Sequence, residues 1–540
     1  MIWPRSMRKA ASTLREATLT ELTSGSYDVL IVGGGITGAA IAREAAHAGL
    51  RVALIEQGDY ASGTSGRSSR LIHGGLRYLK DMRVGLVTAS LEEQWALARS
   101  APHLVRPMPF LLPLYRRASP SPSAMRLGMG VYRALGPAAA ASTHRRLSAD
   151  AVARQEPLLA ARGLAGGLLH REYVTHDARL VIETILAARA NGAVTANYVE
   201  RREPLVERGR VVGVLARDTA SGASFAIRAR VVVNATGPWG AGVTRRGGNG
   251  NGALTLTKGA HALIRRLRLP LRQAVTFPSP RDGRSLFAVP QDAFVYRGTT
   301  ETPYQGDPAG ATAGPDDIEY LVEAASTAFP ACGLRVDDVV ATWAGVRPLV
   351  TAGGRDPNRL SRRYALRWDR EGVLSISGGK LTLHRRIARS AVTAIVRKRR
   401  APGPRRPMLA DAAALPGAMW STTSAETCSS LARVGLAPAT IRHLTDTYGS
   451  RAGAFIAIVR ERPEWAARIA EPVPHIWAEA AFAVRHEMAV EPQDFLIRRS
   501  DLSFRLAVEG VQTGPWPDIQ RATRAAEARM ASPPRVSASM

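Results

Sequence analysis

Residues 27–56 form one continuous pattern. An apolar strand, Tyr27-Asp28-Val29-Leu30-Ile31-Val32, runs into the glycine turn Gly33-Gly34-Gly35-Ile36-Thr37-Gly38. A helix-compatible stretch follows through His47, and a second apolar run, Arg51-Val52-Ala53-Leu54-Ile55, ends in Glu56. This order predicts a βαβ unit that holds a dinucleotide. Gly33 permits the tight turn, Gly35 lets the backbone approach a pyrophosphate, and Gly38 lets helix and strand pack closely. Ile36 and Thr37 open the helix, where unpaired N–H groups and the helix dipole attract phosphate. Glu56 is placed to accept from a ribose hydroxyl. The plainer reading is a glycine-rich turn that only joins a strand to a helix.

A nicotinamide-binding half would continue into another simple βαβ unit. Here Gly63-Thr64-Ser65-Gly66-Arg67-Ser68-Ser69 and His73-Gly74-Gly75 supply hydroxyls and bare backbone over a long loop, which suits wrapping a larger cofactor. Thr64-Ser65 followed by Ser69-Arg70-Leu71-Ile72-His73-Gly74-Gly75-Leu76-Arg77-Tyr78-Leu79 resembles the FAD-dependent glycerol-3-phosphate dehydrogenases of the respiratory, quinone-linked kind. Further blocks agree in order: Asn234-Ala235-Thr236-Gly237-Pro238-Trp239, Lys258-Gly259-Ala260-His261, Gly298-Thr299-Thr300, Gly345-Val346-Arg347-Pro348-Leu349 and Gly378-Gly379-Lys380-Leu381-Thr382. The similarity runs from about Tyr27 to Arg499 and includes the segment 478–487.

The resemblance implies an α/β fold: an FAD-binding Rossmann-like domain built from discontinuous segments, an antiparallel-sheet substrate domain and a helical C-terminal domain. The expected division is an N-terminal extension at 1–26, an FAD domain at 27–95, 177–245 and 345–396, and a substrate domain at 96–176 and 246–344. A basic linker at 397–410, helices at 411–528 and a disordered tail at 529–540 complete it. Beyond the βαβ residues, the expected FAD contacts are Thr64, Ser65, Ser69, His73, Gly74, Gly75, Leu76, Ala235, Thr236, Gly237, Gly378, Gly379, Lys380, Leu381 and Thr382. The implied reaction is oxidation of sn-glycerol 3-phosphate to dihydroxyacetone phosphate, with electrons passed to a quinone.

A polyol phosphate needs cations for its dianion and a base near the flavin. Arginine binds phosphate bidentately through its planar fork, so Arg77 and Arg347, each in a glycine- or proline-marked turn and each matching an active-site arginine of the family resembled, are the first candidates; the resemblance alone adds Arg362. Histidine titrates nearest neutrality, and the resemblance points to His73 and His261, both in matching blocks, as candidate bases. Lys380 is expected against substrate phosphate or the flavin, and Lys258 stands out for its glycine-flanked motif. Structural salt bridges and satisfied histidines are the plainer readings. Three positions depart from the family pattern: Glu301 after Gly-Thr-Thr, Gln291 after Pro290, and His384 after Lys-Leu-Thr. They leave room for another polyol phosphate, such as erythritol 4-phosphate. An O₂-reducing oxidase and a flavin-bearing sensor or interaction protein are also compatible with these motifs.

Composition narrows the setting. A chain of 540 residues, 45% hydrophobic, can bury several cores. Two cysteines, Cys332 and Cys428, build neither a disulfide framework nor a metal cluster, and no metal is expected. The net charge of +28 favours acidic ligands or anionic surfaces. Only five of the 73 basic residues are lysine, which reflects coding bias. With no apolar run of membrane-spanning length, peripheral attachment to the inner face of the plasma membrane of a cytoplasmic protein is expected. It would act through the basic run Arg397-Lys398-Arg399-Arg400 with Arg405-Arg406, or through the stretch from Met125 to Arg133. The first 26 residues lack a secretory h-region and read as a loose extension. Nucleic-acid binding has the charge but no motif, and a homo-oligomer stays open.

Overall fold

The strand Ser26–Val32 lies at the centre of a sheet ordered Tyr364–Trp368, Leu374–Gly378, Ser224–Asn234, Ser26–Val32, Val52–Ile55, Val194–Ala196. All neighbours in this series are parallel except the first pair, and a hairpin, Val199–Glu207 and Arg210–Asp218, extends it through Ser224–Asn234. The computed structural model describes residues 5–79, 81–116, 121–137, 144–242, 254–350, 364–369, 372–399, 408–409, 413–418 and 424–510.

Alternation along the central strand explains its unbroken hydrophobicity. Val29 and Ile31 join the core under the helices Ile36–His47, Asp177–Ala190 and His384–Arg399. Leu30 and Val32 face the other way, into a core with Val199, Val211 and Leu22. A parallel sheet buried on both faces requires apolar residues at every position. Leu22 belongs to the helix Arg5–Ser24, so the expected loose extension is corrected. Arg15 on this helix pairs with Asp218 and donates to the Asn197 carbonyl at 2.7 Å. A buried charge with partners on the sheet cannot belong to a loose segment.

A second sheet of ten strands contains the long pair Leu254–Arg265 and Val339–Val350, and the pair Arg106–Tyr115 and Leu164–Val174. It is antiparallel apart from the contact of Ala274–Pro278 with Arg106–Tyr115. The helix Pro315–Ala328 covers one face, and the helix Leu502–Val508 packs on the other through Phe504 and Ala507. Two expected boundaries cut through single elements: 344/345 falls inside the strand Val339–Val350, and 95/96 inside the helix Val84–Ser100. The C-terminal helices Pro438–Tyr448, Ala454–Glu461 and Trp477–His486 share a separate core around Leu444, Phe455 and Phe482. No helix among the described residues is long and apolar enough to cross a membrane. Residues 400–407 and the tail 529–540 lie outside the described residues.

Candidate active site

The C-terminal ends of the parallel strands open onto a cavity of about 380 Å³, closed on the far side by the strands Leu254–Arg265 and Val339–Val350 of the second sheet. In open α/β sheets this crevice is where ligands bind.

At the nucleotide end, Gly33 has φ +115°, and a Cβ there would lie 2.6 Å from the Ala235 carbonyl oxygen. Gly38 lies off the cavity: a Cβ on it would stand 1.9 Å from the Gly33 oxygen, so only hydrogen allows this helix–strand approach. Gly35, Ile36 and Thr37 line the cavity at the helix start. A Cβ on Gly35 would meet only the Ser65 side chain, with Oγ at 3.1 Å, and the Ile36 N–H donates to that hydroxyl at 3.0 Å. Glu56 accepts from the Gly34 and Gly58 amides at 2.7 and 2.9 Å. Burial raises its pKa, and the two amides oppose that shift. This bare helix terminus, open at Gly35 and followed by a carboxylate, fits an adenosine diphosphate group.

Thr64, Ser65, Ser69, His73, Ala235, Thr236, Gly237, Gly378, Gly379, Lys380, Leu381 and Thr382 also line the cavity. Gly378 and Gly379, both at positive φ, carry the chain from its strand into the next helix. Lys380 Nζ donates to the His73 carbonyl at 3.0 Å and lies 5.4 Å from the centre of the Tyr78 ring. Gly74 and Gly75 sit behind this wall and not on it. The Gly74 amide donates to Glu172 at 3.1 Å, and a Cβ on Gly74 would stand 2.1 Å from the Tyr132 hydroxyl. Glu172 also accepts from Tyr132 at 2.7 Å and from Gln94, so one buried carboxylate anchors the loop. Burial raises the Glu172 pKa, and its hydrogen bonds and Lys380 counter this.

On the substrate side, Arg347 and His261 come from adjacent strands. The Arg347 guanidinium donates to Thr299 Oγ1 at 2.7 Å and to the Thr300 carbonyl at 3.3 Å. It lies so close over Gly259 that a Cβ there would be 2.1 Å from a guanidinium nitrogen. His261 is buried, stacks on Trp343, and has Nε2 2.9 Å from Ser69 Oγ. Burial, helped by Arg347 and Arg70, holds its pKa well below the usual value, so the ring is neutral.

Other candidates lie elsewhere. Leu76 and Arg77 do not line the cavity; Arg77 is exposed, with its guanidinium 5.2 Å from the centre of the Tyr78 ring. Its short turn, Leu76–Leu79, points it to solvent. Arg362 lies outside the described residues. Lys258 is paired with Asp317 at 2.6 Å. Of the departures, Glu301 pairs with Arg284, Gln291 borders a different cavity, and buried His384, with its pKa lowered to about 3, contacts the Leu381 carbonyl at 2.7 Å. None of the three lies on the wall of this cavity.

Sequence reasoning missed Trp343, Thr299 and Glu172 as supports, and Arg67 and Arg201 on the cavity wall. Glu172 left one signal, a carboxylate inside the strand Leu164–Val174; Thr299 and Arg67 fall inside the blocks Gly298-Thr299-Thr300 and 63–69, which mark the site but not their roles, and Trp343 and Arg201 left none, because their roles depend on strand register.

Residues 28–385 match the family described as FAD dependent oxidoreductase, and residues 409–515 match the C-terminal domain of alpha-glycerophosphate oxidase. The chain is 35% identical over 504 residues to an aerobic glycerol-3-phosphate dehydrogenase of Bacillus subtilis, covering 92% of this chain and 90% of the relative. A Staphylococcus epidermidis protein of the same name is 35% identical over 502 residues, covering 91% and 89%. The structure superposes on the X-ray structure of a Bacillus halodurans glycerol-3-phosphate dehydrogenase complexed with FAD, with TM-score 0.77, 30% identity and 97% of both chains covered. An L-alpha-glycerophosphate oxidase from Mycoplasma pneumoniae shares the fold at TM-score 0.56 and 20% identity, over 73% of this chain and 99% of that one. With its nucleotide-binding turn, its two-sheet cavity and this similarity along nearly its whole length, the chain belongs to the family of FAD-dependent glycerol-3-phosphate dehydrogenases.

Proposed function

We propose that the protein oxidises sn-glycerol 3-phosphate at C2 to dihydroxyacetone phosphate and passes the electrons to a membrane quinone. The observation that carries this reading is the pairing of Arg347 with His261 on one wall of the cavity, opposite the residues that fit FAD. Arg347, fixed by Thr299 and Thr300, offers its planar fork to the phosphate. His261 lines the same wall and is held neutral by burial, which makes it the candidate acceptor for the C2 hydroxyl proton. FAD held by the residues of the opposite wall would supply the two-electron acceptor for the C2 hydride. Loss of that hydride and the hydroxyl proton leaves the ketone. Lys380 and Glu172 hold the His73–Gly75 backbone at the cavity edge.

The names of the curated relatives, aerobic glycerol-3-phosphate dehydrogenases, support this substrate. Attachment to the anionic inner face of the plasma membrane belongs to the same reading. Leu127 and Val131 are exposed on the helix Pro122–Leu135 beside Arg126, and Met82 and Val84 are exposed at the start of the neighbouring helix. An apolar strip flanked by cations suits a lipid interface.

Anaerobic addition of glycerol 3-phosphate, erythritol 4-phosphate and related polyol phosphates to the holoprotein tests the reading. Glycerol 3-phosphate is expected to bleach the flavin fastest. Faster bleaching by another member would reassign the substrate, and bleaching by none would favour a flavin-bearing binding protein. Stopped-flow reoxidation by quinone and by O₂ then separates dehydrogenase from oxidase.

A further inference from the structure

A buried ionic cluster joins the C-terminal domain to the loop that carries Glu56. Asp59 is fully enclosed, three residues after Glu56. Both of its oxygens accept from Arg499, one at 2.8 Å; Arg498 Nε reaches it at 2.5 Å and Asn197 Nδ2 at 2.9 Å. Arg498 also reaches Asp494 at 2.5 Å, and the Tyr198 hydroxyl donates to that carboxylate at 2.7 Å. Arg499 is completed by the Glu487 carbonyl at 2.8 Å. The two arginines hold the Asp59 carboxyl below its usual range despite burial.

Charges enclosed in this way cost solvation and give little net stability over an apolar core of the same volume, but the two-pronged contact of Arg499 with Asp59 has a set geometry. The geometry fixed here belongs to the nucleotide turn. Gly34 packs against Glu56 and Tyr60, the residues that bracket this loop: a Cβ on Gly34 would stand 2.8 Å from both Glu56 Cβ and Tyr60 Cδ1. The Gly34 carbonyl accepts from the Ala61 amide at 3.1 Å, and the Gly34 amide donates to Glu56. The Glu56 carbonyl and the Gly58 carbonyl accept from Val199 and Tyr198 at 2.8 Å each. Displacing Asp59 therefore shifts the carboxylate expected on the ribose and the turn expected at the pyrophosphate together.

We infer that Arg498 and Arg499 are positioning residues for the adenosine half of FAD, so that the C-terminal domain sets cofactor affinity through Asp59 without touching the cofactor. The inference rests on the FAD site described above. It makes the π-helical turn Asp494–Arg499 part of the nucleotide-binding machinery, although Arg499 lies 440 residues from Asp59 in sequence.

The test compares apoprotein variants titrated with FAD, with ADP as the adenosine-side probe and with FMN as the flavin-side probe. Arg499→Lys keeps the charge and removes the fork; Tyr198→Phe, a milder change, removes one hydroxyl from the network. Losing a charge-assisted hydrogen bond in Arg499→Lys is expected to weaken FAD and ADP about tenfold or more, with FMN affinity unchanged. Tyr198→Phe is expected to shift affinity in the same direction by less. Equal weakening of all three ligands in a folded variant would make the cluster merely structural, and unchanged FAD affinity in both variants would remove the inference. If Arg499→Lys does not fold, Tyr198→Phe decides alone by the same comparison of ADP with FMN.

Discussion

His261 and Trp343 stack face to face, with ring centroids 4.7 Å apart and planes 7° from parallel. Trp343 Nε1 also donates to the Ser68 carbonyl at 3.0 Å, and Ser69, the next residue, meets His261 Nε2. One indole thus holds the histidine ring from its face and, through the 68–69 backbone, from its edge. Trp343→Phe keeps an aromatic face and removes the N–H, a loss of about 1 kcal/mol, so kcat is expected to fall severalfold. Trp343→Leu also removes the ring contact, worth about 0.5–1.5 kcal/mol more, and should fall further. Steady-state kcat at measured flavin content checks the order; equal values for the two variants would separate the stack from catalysis.

Arg347→Ala is expected to remove most activity and leave FAD bound, because the guanidinium stands at the substrate wall, held by Thr299 and Thr300. A lost charged hydrogen bond costs about 1.5–3 kcal/mol, or roughly 10- to 150-fold in kcat/KM. Flavin absorbance with kinetics measures both; unchanged kinetics would make the arginine structural.

Gly35→Val is expected to yield colourless protein. Gly35 has ordinary φ, −78°, and its Cβ direction meets only the Ser65 side chain, so the backbone tolerates valine while the side chain occupies cofactor space. A yellow variant with normal flavin content would count against the site.

Stability is expected to fall as pH drops below about 6.5. Burial lowers the pKa of His103 and His176 to about 4 and of His170 and His384 to about 3. The unfolded chain therefore binds protons through the window from about 6.5 to 3 that the folded chain refuses, and linkage favours unfolding there. His443 works in the opposite sense: Glu479 raises its pKa, and its contribution is present in acid and lost as pH rises through the raised value. Thermal midpoints from about pH 7.5 to about 4.5 check the sum; a midpoint that rises on acidification would contradict it.

Association with anionic vesicles is expected to weaken as salt shortens the screening length from about 10 Å at 0.1 M to about 3 Å at 1 M. Leu127→Asp with Val131→Asp should weaken it at every salt concentration, since both residues are exposed on one helix. Co-sedimentation reads both effects. A variant that pellets like the parent would shift attention to the basic run after Val396.

The sequence by itself determined the nucleotide half of this protein. Strand, glycine turn, helix and Glu56 are contiguous, so short-range rules about φ, amide donors and helix ends were enough to locate them. It also singled out Arg347, His261 and Lys380, because each lies in a block shared with the family the chain resembles. Tertiary structure alone decided which cations meet. Arg77 and Arg347 look equivalent in sequence, yet one lies on a short exposed turn, and the other is directed into the cavity by a strand whose register sets it over Gly259. The same holds for Trp343 against His261 and for Arg499 against Asp59. Strand pairing and domain docking bring such partners together across tens to hundreds of residues, and no local pattern encodes a contact whose geometry is set by packing elsewhere.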